Sequence, residues 1–180
     1  MGTARCREKG AQVCAASFVV IFAICHTADS FMQKELRSNG YFSTLTMWTL
    51  LLTAYVLAFP SPAGVVAAAS AANIVVCALY YSIVNQKLVS GTSFLLHGGC
   101  ALALLLFVCR GSLDCKARPL TAALVTGTFL GANAAMQVWH EQQHQKVLYP
   151  TCKNFENPLW RLVAVPAIGA AVAASLAAWA

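Results

Sequence analysis

Six apolar runs, separated by short polar links, set the pattern of this chain. They cover about 13–28, 42–59, 63–84, 92–108, 119–139 and 160–179. Most approach the ~20 residues with which an α-helix crosses ~30 Å of hydrocarbon. The punctuation between them suits helices. Asn39-Gly40 marks a turn before the second run. Pro60-Ser61-Pro62 closes that run, because proline lacks the donor to continue a helix and disfavours helical geometry in the residue before it. Pro119 stands where proline is tolerated, in a first turn. Tyr80-Tyr81 ends the third run, and Trp160 and Trp179 frame the last, all suited to an interface. The pattern predicts an all-α polytopic membrane helical bundle of about six transmembrane helices, forming one domain over residues 1–180.

Composition supports this. The chain is 59% hydrophobic and 10% charged, whereas a soluble domain carries about 25% charge. The net charge of +6 is scattered between the runs, as interfacial anchors are. No basic stripe with interleaved aromatics tracks a phosphate backbone, so nucleic acid is excluded as a partner. The expected partner is the lipid bilayer. Arg5, Arg7 and Lys9 precede the first run, but His26 occupies the −3 position of the only cleavage-like site, so that run reads as a retained span. Gly127 and Gly131 have the small-xxx-small spacing that allows close helix approach and helix–helix self-association. Eight cysteines show no Cys-x-x-Cys pair and no partner histidines at zinc spacing, so neither a metal nor another cofactor is expected.

Chemistry enters through topology. Runs two and four point the same way, which places Thr46 and His97 roughly 6–8 Å below one common interface. Runs one and five end at that face and bring His26, His140, Asn133 and Gln137 to it. Ionisable residues at such depth usually face a cavity or the bundle interior. Each has a plainer reading. Thr46, Thr49 and Thr53 share a helical face and suit helix packing, with hydroxyls bonded back to carbonyls. Gly98-Gly99 most simply permit close packing. A transporter or channel lined by the histidine layer is the alternative from a different class.

Gly40, the Leu45-Thr46 pair with its leucine-rich helix, His97-Gly98, Trp139, Tyr149-Pro150 and Pro158-Leu159-Trp160 together carry a resemblance. The chain resembles the androgen-induced-gene and androgen-dependent TFPI-regulating protein family of eukaryotic multi-pass membrane threonine hydrolases. That resemblance implies a lipid-ester hydrolase acting on fatty acid esters of hydroxy fatty acids, in the endoplasmic reticulum or plasma membrane. It implies Thr46 as nucleophile and His97 as base. Such chemistry also needs an oxyanion donor, for which Asn133 or an amide near Gly98 is a candidate. With no acidic residue inside a run, an orienting carboxylate could come only from an end such as Asp29. Cys100 stands where the family's animal members carry a second histidine, which leaves a catalytically inactive membrane scaffold as a further alternative.

Overall fold

The computed structural model describes residues 9–21, 44–79, 81, 98–144 and 157–179. Among them every regular element is a helix and there is no strand. We number them α1 (Lys9–Ile21), α2 (Leu45–Ala58), α3 (Ala63–Leu79), α4 (Cys100–Cys109), α5 (Pro119–His144) and α6 (Trp160–Trp179).

Local chemistry sets the ends. Thr44 caps α2: its backbone is extended and its hydroxyl accepts from the Met47 N–H. Phe59 closes the helix through its N–H on the Tyr55 carbonyl, and the following prolines hold the chain out of helix until Ala63. Two helices so tightly linked lie antiparallel. Asn73 of α3 donates to the Thr53 hydroxyl of α2 at 2.7 Å, and Thr53 in turn donates to the Thr49 carbonyl.

α3 is the central helix and packs on α5, α6, α2 and α4, while α5 and α6 form the most extensive pair. Small side chains make this closeness achievable: Ala67, Ala69, Ala71 and Ala72 of α3 and Ala122 and Ala173 across from them are fully sealed. The tightest approach is at Gly169 of α6. A methyl there would collide with Leu130 Cδ1 and meet Thr126 Cγ2 at 3.4 Å, whereas one on Gly127 would rest 3.8 Å from Ala170 Cβ. Gly169→Ala is therefore expected to destabilise by about 1–3 kcal/mol through overpacking. Gly127→Ala should be neutral or slightly stabilising, since alanine is the better helix former. Thermal unfolding of the two variants in detergent compares them directly.

α6 opens with a five-residue π turn, Trp160–Ala164, in which the Val165 N–H reaches back to Trp160. Pro166 follows at once and has no N–H for the Leu162 carbonyl. A widened turn just before a proline relieves the clash its ring would make with that carbonyl.

The outside of the bundle is apolar. Leu51, Tyr55, Leu102, Leu106, Leu120, Leu124, Leu162, Val163 and Ile168 are exposed, while Thr49, Thr53, Ser70, Asn73, Thr126, Asn133, Gln137 and Arg161 are buried. All the described charges lie at the two ends: Lys9, Arg110, Asp114, Lys116 and Arg118 at one, Glu141 and Arg161 at the other. Among the described residues one helix, Trp160–Trp179, is long and apolar enough to cross a membrane by itself; α1 to α4 are apolar and shorter. Capping by Thr44 and termination at Pro60 hold α2 to 14 residues, about 21 Å, against the 18 read from hydrophobicity over 42–59. α5 departs in the other direction. It runs to His144 rather than 139, and the polar Asn133, Gln137 and Glu141 are part of it.

Candidate functional site

The end of the bundle at which α2 and α6 begin and α3 and α5 finish carries the buried polar groups. Leu45 packs there with Val75, Val76, Leu130 and Val165, and Phe129 lies 5.8 Å from Trp48, ring centre to ring centre. This sets the first turn of α2, which bears Thr46, beside the middle of α5.

Thr46 is the second residue of α2, nearer the helix start than a helix beginning at residue 42 would place it, because the helix begins after its Thr44 cap. The correction changes its surroundings. The first N–H groups of a helix have no intrahelical acceptor, and the aligned peptide dipoles make that end positive. An oxygen on Thr46 that gains negative charge is stabilised by both. Thr46 is half-buried, whereas Thr49 and Thr53 are sealed at 2% and 0% exposure. Thr53 is committed to Asn73. The threonines that the sequence places on one helical face thus divide into two packed residues and one at the helix entrance.

On α5, Asn133, Gln137 and Glu141 succeed one another at one-turn intervals and face α6. Gln137 Nε2 donates to Asn133 Oδ1 at 2.6 Å. One turn on, Glu141 accepts from Arg161 of α6 through both oxygens, Nη1 to Oε1 at 2.7 Å and Nη2 to Oε2 at 2.5 Å. Arg161 is 2% exposed, and its Nε has no acceptor among the described residues. His140 lies beside this pair. Its ring lies tilted against that of His144 with centres 4.3 Å apart, and its buried Nε2 has no hydrogen-bond partner among the described residues. Burial pushes the His140 imidazole below its usual pKa range, the neighbouring His144 lowers it further, and Glu141 opposes both.

The structure brings Thr46, Asn133, Gln137 and His140 to one end of the bundle. His97, His26 and Asp29 lie outside the described residues, as do Gly40 and Tyr149-Pro150. Gly98 and Gly99 lead into α4, and Cys100 is buried against the cluster that includes Met47 and Leu50, where its thiol serves as a small apolar side chain.

Two features of the site escape the sequence reading. Arg161 lies hidden inside the sixth apolar run, although an arginine in such a run is itself a signal of buried pairing. The second is a histidine pair at the end of α5. His140-Glu141-Gln142-Gln143-His144 has the H-E-x-x-H spacing, which puts two imidazoles on one helical face. The expectation that no histidines stand at zinc spacing rests on cysteine-centred patterns and passes over this pair.

No protein-family model, no curated protein and no solved structure matches the chain.

Proposed function

We infer that the chain is an integral-membrane helical bundle that hydrolyses lipid esters, with Thr46 as nucleophile and His97 as its base. The membrane reading is supported by the inverted distribution of side chains. Large apolar groups lie outside, small and polar ones inside, and the described charges are confined to the ends. The observation that carries the hydrolase reading is the station of Thr46. It is half-buried at the positive end of α2, at the end of the bundle where Asn133 and Gln137 are buried.

The chemistry follows. A threonine hydroxyl attacks an ester only as a base removes its proton. Neutral His97, which directly precedes Gly98 in the chain, takes that proton as the Thr46 oxygen bonds to the ester carbonyl carbon. The Thr46 backbone N–H, at the positive end of α2, receives the developing oxyanion. The carbon–oxygen bond to the leaving alkoxide breaks, His97 returns the proton to it, and an acyl-threonine remains. Water, deprotonated by the same imidazole, releases the fatty acid. A substrate approaching laterally keeps its chains along the exposed apolar flank of the bundle while the ester reaches the polar end.

Purified protein in nanodiscs is expected to release free fatty acid from a hydroxy-fatty-acid ester and to be labelled by a fluorophosphonate probe. Absence of both would overturn the reading. A second reading, an inactive membrane scaffold, is favoured by Cys100, whose buried thiol packs into the core where the resembled family has a second histidine. Under that reading Cys100→His introduces hydrolysis that the wild type lacks.

A further inference from the structure

We propose that His140 and His144 form a chelating pair for a zinc-class divalent cation at the C-terminal end of α5. The pair stands on geometry that is independent of the hydrolase reading. Residues four apart on a helix are neighbours, with Cβ atoms about 5–6 Å apart, and here the two rings already lie 4.3 Å centre to centre. A cation bound about 2.0–2.1 Å from one nitrogen of each ring fits such a pair with small rotations of the side chains. His140 Nε2 is buried with no hydrogen-bond partner among the described residues, and imidazole nitrogen is the commonest ligand atom for zinc in this chemistry. His144 is exposed at the end of the helix, so its ring is free to turn and complete the chelate.

The neighbouring glutamate decides what the site does. In the H-E-x-x-H pattern of metal-dependent peptidases, the glutamate acts as general base on the metal-bound water. Here both carboxylate oxygens of Glu141 are engaged by Arg161. Glu141 therefore faces α6 and does not activate water on the cation. Among the described residues no third His, Cys, Asp or Glu joins the pair, so the remaining coordination positions take water or an exchangeable oxygen ligand. The site is a cation-binding clamp at the end of α5 and lacks the base that peptidase chemistry requires.

The test uses full-length protein in detergent, stripped with a chelator and titrated with Zn²⁺ and with Co²⁺. Wild type is expected to bind one Zn²⁺ per chain and to develop visible Co²⁺ absorption. His144→Ala, at an exposed position that does not threaten the fold, should weaken Zn²⁺ binding at least tenfold. The paired change Gln142→His with His144→Gln keeps the number of histidines but moves the second ring off the shared face, and should weaken binding to the same degree. Wild-type affinity in either variant, or no stoichiometric binding by the wild type, would overturn the site. Because the readout is binding, loss of the site and failure of the hydrolase reading are distinguished: Thr46→Ala abolishes turnover while leaving Zn²⁺ affinity unchanged.

Discussion

Thr46→Ala is expected to reduce hydrolysis of a hydroxy-fatty-acid ester by at least about a thousandfold and to abolish fluorophosphonate labelling. Under the proposed hydrolase function that change removes the nucleophile and leaves only binding and oxyanion stabilisation, and losses of this size or larger follow in covalent enzymes. The contrast with its helical neighbours makes the test sharp. Thr49 and Thr53 are buried, and Thr53 takes part in the hydrogen bond to Asn73 that ties α2 to α3. Thr53→Ala should lower stability by about 1 kcal/mol, the ordinary worth of an intramolecular hydrogen bond, with turnover per folded molecule retained. Thr46→Ser keeps the hydroxyl and should keep measurable activity. Initial rates and probe labelling, normalised to folded protein, separate these outcomes. Equal turnover in Thr46→Ala and wild type would remove the residue from the mechanism.

How much of this was legible in the residues depends on how local each signal is. Pro60-Ser61-Pro62 acts on the backbone of its immediate neighbours, so the break between α2 and α3 falls where the prolines place it. The start of α2 is read less well from hydrophobicity alone. Phe42 is as apolar as Leu45, but the side-chain oxygen of Thr44 caps the helix. The end of α5 is misjudged for a related reason. Apolar character stops at Trp139, yet glutamate and glutamine are good helix formers, and the helix continues to His144. What no local pattern shows is the bond between Glu141 and Arg161, since 20 residues separate them along the chain. In sequence each looks like a charge near an interface. Only the packing of α5 on α6 turns them into a buried pair. The common end shared by Thr46, Asn133, Gln137 and His140 lies between these cases, because counting helix directions fixes it without any knowledge of contacts.

That buried pair carries the second large effect. Arg161→Leu is expected to destabilise the bundle by about 3–5 kcal/mol, because it removes the guanidinium that both Glu141 carboxylate oxygens meet and breaks a buried pair from one side. The side chains of Arg161 and Glu141 are 3% and 14% exposed, so water recovers little of the lost interaction. Glu141→Leu should be comparably harmful, since it strands a guanidinium whose Nε already lacks an acceptor among the described residues. The double variant Arg161→Leu with Glu141→Leu should regain most of what either single change loses. Two desolvated charges spend most of their mutual attraction on leaving water, and well-packed hydrophobic replacements are often neutral or better. Unfolding midpoints of wild type, both single variants and the double variant, all in one detergent, complete the cycle. A coupling of several kcal/mol is the expected result. Additive single effects would mean that the pair is solvated in the folded protein and that the polar end of α5 is open to water. Recovery in the double variant would instead show that the Arg161–Glu141 pair is dispensable for folding.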